Sequence, residues 1–393
     1  MTQHLSAAHT ATPTTRPTGT LGVAMVGHSF MGAAHSHAWR SAGRFFDLPV
    51  SPRMVAVCGR DPDRTAAAAE RFGWDSAETD WRALLRRDDV DLVDICTPGD
   101  THAEIAVAAL AAGKHVLCEK PLANSLDEAR RMSAAADEAR ARGVHAMVGF
   151  NYRRVPALTL ARKLVSEGRI GELRHVRAMY LQDWLSDADS PMTWRLRREQ
   201  AGSGALGDIG AHVVDAAQFV TGQGIEGVSA LTETFVRQRR SGTGGTEPVT
   251  VDDCAVFTAR FSGGAVGSFE ATRYALGRKN AMRLELNGSR GSLSFDLESM
   301  NELWFHDATE DPDTAGFRRI VVTEPTHPYL GAWWPPGHLL GYEHTFTHEV
   351  VDLVTALATD TPPEPGFGDG LRVQGVLEAV QHSAAADSAF VRV

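Results

Sequence analysis

The chain lacks the features that mark several large classes of protein. No apolar run approaches the ~18 residues that a membrane-spanning helix needs. Positive charge is scarce, since 39 Lys and Arg stand against 49 Asp and Glu for a net charge of -10, whereas nucleic acid requires a basic face. Cysteine is rare too, and the spacing of the four present fits neither a metal site nor a redox motif: Cys58, Cys96, Cys118 and Cys254. These absences predict a cytoplasmic protein with reduced thiols that binds neither membranes nor nucleic acids.

The length of the chain predicts more than one domain. A chain of 393 residues is too long for one ordinary hydrophobic core. Residues 1–20 are rich in Thr, Ala and Pro and carry a single basic residue, Arg16, so they predict a disordered tail. We expect a dinucleotide-binding domain over residues 21–150 and an α+β domain for substrate binding and oligomerisation over residues 151–393.

The two parts differ in the order of their elements. From Leu21 to Phe150, short apolar strands alternate with helices, which is typical of a doubly wound parallel sheet. After Asn151, several strand-like runs follow one another, which predicts a mainly antiparallel sheet. Residues 237–250 are predicted as a flexible loop and residues 325–338 as an irregular aromatic loop. Two amphipathic helices are predicted at Phe346–Ala358 and Arg372–Ser388.

A glycine-containing turn follows the first strand and predicts a cofactor site. Gly27 permits a tight turn, Gly32 permits close packing of helix on strand, and Ser29 stands where a second glycine is usual. The backbone amides at the start of the following helix suit a pyrophosphate. The predicted residues of this turn are Gly27, Ser29, Phe30, Met31 and Gly32.

The end of the second strand leaves the choice of dinucleotide open. Arg60 suits the 2'-phosphate of NADP, whereas Asp61 suits the ribose 2'-hydroxyl of NAD. Both residues are also ordinary turn residues. The predicted cofactor is therefore NAD or NADP.

Glu119-Lys120-Pro121 closes a predicted strand at the edge where parallel sheets present their ligands. A lysine there lies beside a bound cofactor instead of on an arbitrary surface. With the residues that follow the preceding strand, the predicted cofactor contacts are Thr97, Pro98, His102, Glu119 and Lys120.

A second constellation lies on a predicted helix. Asp208, His212 and Asp215 are spaced i, i+4 and i+7, which places them on one helical face. Three interpretations compete: an exposed polar face with Asp208 as a cap, a metal site that lacks an evident third ligand, and a catalytic group. Oxidation of an alcohol needs a proton acceptor, and lysine or histidine can serve. We favour the catalytic interpretation.

These motifs resemble those of the glucose-fructose oxidoreductase, inositol dehydrogenase and rhizopine catabolism (Gfo/Idh/MocA) family, from Leu21 to the end of the chain. The resemblance implies that Lys120 and His212 handle the proton and that Asp208 orients the substrate. We predict Lys120 as the proton acceptor, with His212 assisting or sharing this role. Ser29, and Gly99 after Thr97-Pro98, depart from the usual family pattern.

Within the family, the chain bears a closer resemblance to sugar 3-dehydrogenases of the levoglucosan dehydrogenase type. The similarity is carried by residues 118–123, 150–154, 180–184 and 201–209. It implies NAD-linked oxidation of a pyranose hydroxyl to a ketone, and oligomerisation as a homodimer or homotetramer through the second sheet.

Planar polar groups and aromatic faces that bind polyols are predicted at the ends of strands. Together with Lys120, Asp208 and His212, the predicted substrate contacts are Tyr152, Arg153, Gln182, Trp184 and Arg273. His344 and His348 lie four apart on a helix, but a polar helix face is favoured over a metal site, so no metal is predicted.

The sequence therefore predicts an NAD(P)-dependent oxidoreductase that moves a hydride between the cofactor and a ring hydroxyl of a sugar, anhydrosugar or cyclitol. Oxidation of a cyclitol by an inositol 2-dehydrogenase type of enzyme, and a glycosidase that retains its cofactor, are alternatives. A non-enzymatic dinucleotide sensor is disfavoured, because it need not keep Lys120, Asp208 and His212 together.

Overall fold

The computed structural model describes residues 19–242 and 244–393. Residues 1–18 of the tail predicted for residues 1–20 lie outside the described residues. Its last residue, Thr20, already belongs to the first strand. None of the helices in the described ranges is long and apolar enough to cross a membrane.

The first half forms a sheet of six parallel strands, as predicted. The strands are β1 (Thr20–Val26), β2 (Ser51–Cys58), β3 (Ser76–Glu78), β4 (Leu92–Ile95), β5 (His115–Glu119) and β6 (Ala146–Gly149). Their order is β3-β2-β1-β4-β5-β6, so the direction of winding reverses between β1 and β4. Ligands of open α/β sheets bind outside the carboxyl ends of the strands at such a reversal.

Helices connect these strands. They are α1 (Phe30–Phe45), α2 (Pro62–Phe72), α3 (Trp81–Leu85), α4 (His102–Ala111) and α5 (Leu126–Arg140). The start of α2 shows how the sequence sets a boundary: the Asp61 carboxylate accepts from Arg64 N, and Pro62 occupies the first turn. Strand β3 and helix α3 were not predicted, because three and five residues are too few to show a periodic pattern.

The second half carries a sheet of nine strands in the order β16-β15-β14-β13-β7-β12-β11-β8-β17. Only β12 and β7 pair in parallel, so the predicted mainly antiparallel sheet is confirmed. The strands outside the hairpin described below are β7 (Leu173–Leu181), β8 (Ile225–Glu233), β11 (Cys254–Phe261), β12 (Val266–Thr272), β13 (Ala281–Gly288), β14 (Gly291–Asp296), β15 (Glu302–Asp307), β16 (Arg318–Val321) and β17 (Val391–Arg392).

Residues 237–250 are not the flexible loop that the sequence predicted. They contain a hairpin of β9 (Gln238–Arg240) and β10 (Thr246–Pro248). The side chain of Arg239 is buried although the strand is short. The Gly, Ser and Thr content of the turn hid the two strands from sequence inspection.

The helices of the second half are α6 (Pro156–Ser166), α7 (Arg198–Ala201), α8 (Ala211–Thr221), α9 (Tyr342–Ala358) and α10 (Phe367–Ala385). Helices α6, α8 and α10 pack on the second sheet, whereas α9 packs on α1 of the first half. Helix α9 places Phe346, Val350, Leu353 and Val354 in the same apolar core as Met25 of the first sheet. The domain boundary expected at residue 150 stays a prediction. Apolar side chains of α9, near the end of the chain, cover part of the first sheet.

Candidate active site

One large cavity, of about 1180 Å³, opens where β1, β4 and β5 end and where the second half faces them. It brings together nearly all the residues predicted for the site. On the cofactor side these are Gly27, Ser29, Phe30, Met31, Arg60, Thr97, Pro98, His102 and Glu119. On the substrate side they are Lys120, Tyr152, Gln182, Trp184, Asp208, His212 and Arg273. Gly32 and Arg153 do not line it.

The glycine turn has the shape that a dinucleotide requires. Gly27 has φ +97°, and a Cβ there would lie 2.7 Å from the Cys96 carbonyl oxygen. A Cβ on Gly32 would lie 2.3 Å from the Gly27 carbonyl oxygen, so Gly32 serves the packing of helix on strand and not the cavity wall. Ser29 precedes α1 without making a side-chain capping bond. Its hydroxyl and the first amides of α1 therefore suit a phosphate group.

His102 connects two segments of the cofactor side. Its Nε2 lies 2.9 Å from the Thr97 carbonyl oxygen and its Nδ1 lies 3.0 Å from the Pro121 carbonyl oxygen. The ring therefore ties the loop after β4 to the turn that carries Lys120. Its contacts indicate that His102 shapes the cavity wall instead of reaching far into the cavity.

Behind this wall lies a buried charged cluster that the sequence analysis missed, here called the His35 cluster: His35, Trp39, Asp94 and Glu119. His35 Nδ1 lies 3.0 Å from both Asp94 oxygens, and its Nε2 lies 2.9 Å from Glu119 Oε1. Trp39 Nε1 donates to Asp94 Oδ2 at 2.7 Å. Burial alone lowers the pKa of His35, but the charge of Asp94 raises it well above its usual value. An imidazolium therefore lies between two carboxylates.

The His35 cluster ends at the backbone of Lys120, whose N–H donates to Glu119 Oε2 at 3.0 Å. The Lys120 ammonium lies on the other side, in the cavity. Lys120 Nζ donates to the Asp208 carbonyl oxygen at 2.8 Å and lies 3.8 Å from Asp208 Oδ1. The lysine thus connects the end of β5 to the helix that the sequence singled out.

Asp208 lies between two positive charges. Besides Lys120, the buried Arg273 contributes Nη1 at 3.5 Å from Asp208 Oδ2. Burial alone would raise the pKa of Asp208, but the charges of Lys120 and Arg273 lower it below its usual value. Asp208 is therefore a carboxylate at neutral pH.

The helix that carries Asp208 and His212 is not regular, and one prediction about it is wrong. Residues Leu206–Gly210 form a π-helical turn that runs into α8. Asp208 lies in the π turn, whereas His212 and Asp215 lie in α8, so the predicted common face fails at Asp215 and not at the π turn. Asp208 and His212 line the cavity, whereas Asp215 is buried against Arg153 instead.

His212 is a buried imidazole at the inner end of the cavity. Its ring centroid lies 4.5 Å from that of Tyr152, and its Nδ1 has no hydrogen-bond partner within residues 19–242 and 244–393. Burial and the charge of Lys120 lower the pKa of His212 well below its usual value. His212 is therefore neutral at neutral pH.

Arg153 does not reach the cavity, contrary to the prediction. Its Nε and Nη2 donate to Asp215 at 2.9 and 2.5 Å, and Nη2 also donates to Asp369 at 3.2 Å. The 3-10 turn Asn151–Arg154 leaves Tyr152 on the cavity side and turns Arg153 towards α8 and α10. Arg153 therefore stabilises the packing of helices instead of binding substrate.

A chain of hydrogen bonds forms the substrate-side wall. Tyr152 OH lies 2.7 Å from Tyr180 OH, which donates to Asn280 Oδ1 at 2.7 Å. Gln182 Nε2 donates to the same oxygen at 2.8 Å, and Trp184 Nε1 donates to Gln182 Oε1 at 2.9 Å. These bonds fix which amide atoms remain for a ligand. The lining residues that sequence reasoning did not assign to the site include Tyr180, Trp194, Arg195, Asn280 and Tyr342.

The two histidine groups with metal-ligand potential are satisfied by protein atoms. His35, Asp94 and Cys96 lie close enough to share an ion, but both His35 nitrogens contact carboxylates. His348 is buried, contrary to the predicted polar face. Its Nε2 accepts from Trp333 Nε1 at 2.7 Å, and its Nδ1 lies 3.0 Å from the Arg154 carbonyl oxygen.

A glycine turn at a topological switch, with a lysine, an ionised aspartate and a neutral histidine beyond it, defines a dinucleotide-dependent oxidoreductase. Comparison with protein families identifies the particular group. Residues 21–150 match the oxidoreductase family with an NAD-binding Rossmann fold, and residues 158–294 match the GFO/IDH/MocA C-terminal domain. The chain belongs to the GFO/IDH/MocA family of NAD-binding oxidoreductases.

Individual relatives cover almost the whole chain. Levoglucosan dehydrogenase of Pseudarthrobacter phenanthrenivorans is 41% identical over 94% of this chain and 97% of its own length. A crystal structure of an oxidoreductase domain protein from Kribbella flavida is 63% identical with TM-score 0.94, over 95% of this chain and 99% of that one. Levoglucosan dehydrogenase in complex with NADH and levoglucosan is 41% identical with TM-score 0.91, over the same shares of the two chains.

Proposed function

We propose that this protein oxidises a ring hydroxyl of a pyranose with NAD, that an anhydrosugar of the levoglucosan type is the substrate, and that C3 is the carbon oxidised. The observation that carries the proposal is the meeting of Lys120, ionised Asp208 and neutral His212 in one cavity with the dinucleotide turn. The comparisons support the substrate class, since the chain is similar to a levoglucosan dehydrogenase in sequence and to a levoglucosan dehydrogenase solved with NADH and levoglucosan.

The cofactor side fits a dinucleotide. Ser29, Phe30 and Met31 would hold the pyrophosphate at the start of α1, and Asp61 would face the adenosine ribose. When bound, the dinucleotide supplies the acceptor for the hydride that leaves the sugar carbon. The end of β5 then sets Lys120 beside the reacting hydroxyl.

The proton of that hydroxyl goes to His212 in this proposal. A neutral imidazole can accept it directly through its free lone pair. Lys120 instead donates a hydrogen bond to the same oxygen and stabilises the negative charge that develops as the proton leaves. This assignment differs from the prediction made from the sequence, in which Lys120 accepts the proton and His212 assists or shares the role.

Asp208 and Arg273 act on the orientation of these groups. The Asp208 carbonyl oxygen holds Lys120 Nζ, and its carboxylate remains available to accept from a neighbouring sugar hydroxyl. The amides of Gln182 and Asn280 and the face of Trp184 would contact the rest of the ring. A neutral polyol fits such a wall of amides and aromatic rings.

The test is the reduction of NAD, and separately of NADP, with levoglucosan, 1,5-anhydroglucitol, glucose and myo-inositol. We expect NADH to form with levoglucosan, and NMR of the product to show a ketone at C3. Lys120→Met and His212→Asn should each lower turnover severely, whereas Lys163→Met, which changes an exposed lysine on α6, should not. Binding of NAD without turnover of any polyol would contradict the proposal.

Two further parts of the proposal concern the environment of the protein. We expect a homodimer or homotetramer through the outer face of the second sheet, where Leu231 and Val256 are cross-strand neighbours and exposed by 65% and 47%. Light scattering of Val256→Glu against wild type tests this interface. The four unpaired cysteines support a reducing, cytoplasmic location, which fractionation of the native host would test.

A further inference from the structure

A buried aspartate outside the cavity holds the start of the helix that carries Asp208 and His212. Asp252 lies just before β11, is 9% exposed, and has its two carboxylate oxygens directed at that helix. Oδ1 accepts from Gly204 N at 2.7 Å, and Oδ2 accepts from Leu206 N at 2.8 Å. Charge-assisted bonds of this length are about twice as strong as neutral ones.

The backbone of Asp252 completes the contact. Its carbonyl oxygen accepts from Ala205 N at 3.0 Å, so three consecutive amides of the helix start donate to one residue. A Cβ on Gly204 would lie 1.7 Å from that carbonyl oxygen, which means that only glycine permits this approach. The segment before β11 is therefore docked rigidly onto the first residues of the helix.

The Asp252 carbonyl oxygen is also linked to the cavity through Arg273. Arg273 Nη2 donates to it at 3.3 Å, while Arg273 Nη1 faces Asp208 at 3.5 Å. Asp252 thus contacts both the helix that carries Asp208 and the arginine that balances the charge of Asp208. It touches neither Lys120 nor His212 itself.

We propose that Asp252 is a positioning residue of the active site: its carboxylate sets the π turn at Leu206–Gly210, and through it the Asp208 carbonyl oxygen that holds Lys120. The catalytic importance of this positioning role rests on the proposed function. The physical link is short, because the two amides that the Asp252 carboxylate binds lie four and two residues before Asp208. A π turn needs such external support, since it is rarer and less favourable than an α turn.

The neighbouring Asp253 provides a matched control. It is also buried, but a single oxygen, Oδ2, accepts from Phe235 N and Val236 N, and Oδ1 has no partner within the described ranges. An asparagine can keep its oxygen on those two amides. At Asp252 both oxygens are used, so an asparagine must place an N–H against a backbone N–H.

The experiment measures the chemical labelling of Lys120 by an amine reagent, read by mass spectrometry, with Lys114 as internal reference. Lys114 Nζ is bound by two carbonyl oxygens far from this helix. In Asp252→Asn we expect labelling of Lys120 to rise several-fold, and kcat to fall about tenfold or more while the Kd of NAD is unchanged. In Asp253→Asn both should stay at the wild-type value.

Equal labelling and equal kcat in the two variants would overturn the proposal. So would a parallel loss of cofactor affinity and kcat in both, since that indicates general loosening. If Asp252→Asn does not fold, Asp252→Ser, which is smaller and keeps one acceptor oxygen, should raise the labelling of Lys120 in the same direction, and no rise would overturn the proposal. The labelling of Lys120 needs no substrate. If no polyol is oxidised, the proposed function is contradicted, but the labelling still tests whether Asp252 positions Lys120.

Discussion

Two clusters of buried charge lie on opposite sides of the Glu119–Lys120 backbone, and they differ in how fully their polar atoms are bonded. In the His35 cluster, both imidazole nitrogens, both Asp94 oxygens and both Glu119 oxygens have partners. On the cavity side, His212 Nδ1 and two Arg273 nitrogens are buried without a hydrogen-bond partner in the described parts of the chain.

The difference separates two uses of buried charge. An unsatisfied buried donor or acceptor costs stability, about 1–3 kcal/mol each, unless a ligand binds it. On the cavity side, the unsatisfied polar atoms lower stability but remain available to a ligand. In the His35 cluster, the polar atoms already have partners within the protein, and the cluster holds the turn after β5 in place. Substitutions on the cavity side should impair activity, and substitutions in the His35 cluster should impair folding.

The largest effect is expected on the cavity side. Lys120→Met should lower kcat/KM for sugar oxidation about 10³-fold, because it removes the hydrogen bond to the reacting oxygen. Its free energy of unfolding should change by only about 1 kcal/mol, since Arg273 still faces Asp208. Steady-state kinetics and urea denaturation measure both values. A large loss of stability with little loss of activity would show that Lys120 serves folding instead of catalysis.

In the His35 cluster the balance should be opposite. Asp94→Asn should lower the free energy of unfolding by about 3 kcal/mol or more, because the His35 imidazolium loses a fully buried charged partner. Urea denaturation measures this, with the exposed Asp63→Asn on α2 as the control that should change little. A loss of stability no larger than that of the control would contradict the role assigned to the cluster.

A pH experiment sharpens the comparison, because Glu349 on α9 is buried close to the His35 cluster without belonging to its hydrogen bonds. Burial raises the pKa of Glu349 to about 8, with Arg154 and His35 opposing and Glu119 and Asp94 reinforcing the rise. Between its usual pKa and 8, the folded state keeps a proton that the unfolded state releases. Stability should therefore fall as pH rises through this window, by up to about 1.4 kcal/mol per pH unit.

Glu349→Gln removes that titration. Its stability relative to wild type should increase from about pH 5 to about pH 8, as measured by urea denaturation across the range. The exposed Glu138→Gln on α5 is the matched control and should give a constant difference. A constant difference for Glu349→Gln as well would show that Glu349 is ionised in the folded protein throughout.

The smallest effect is expected at the wall of the substrate cavity. The buried Arg239 donates to the carbonyl oxygens of Leu185, Asp187 and Ser190 at 2.9, 2.8 and 3.0 Å, and so holds the loop between Trp184 and Trp194. Arg239→Lys cannot span these acceptors, so KM for the sugar should rise roughly fivefold at constant Kd for NAD. Arg237→Lys, on the exposed side of the same hairpin, should leave KM unchanged.

Local signals in the sequence predicted the parts of the site that depend on the backbone path. Gly27 was recognisable because a positive φ and a close approach leave no alternative to glycine. Lys120 was recognisable because an apolar strand ends immediately before it. Both inferences need only neighbouring residues and the topology of a parallel sheet.

Contacts between distant segments were beyond such reasoning. His35 lies on an ordinary amphipathic helix, and its partners Asp94 and Glu119 are 59 and 84 residues away. Asp215 was placed on the same helical face as Asp208 and His212, but its carboxylate is buried against Arg153, a contact between distant segments that periodicity does not reveal. Arg153 was misplaced because the acceptor of its guanidinium, a buried carboxylate on another helix, carries no local signal.

The position of α9 has a consequence for synthesis on the ribosome. Strands β1 to β6 are complete by residue 149, yet Phe346, Val350, Leu353 and Val354, which cover one side of that sheet, are translated about two hundred residues later. Until then, apolar side chains of the nascent sheet lack their final cover. The strands of the first sheet are thus synthesised first, but their packing is completed among the last. Loss of the C-terminal helices should therefore leave a Rossmann sheet that is incompletely covered.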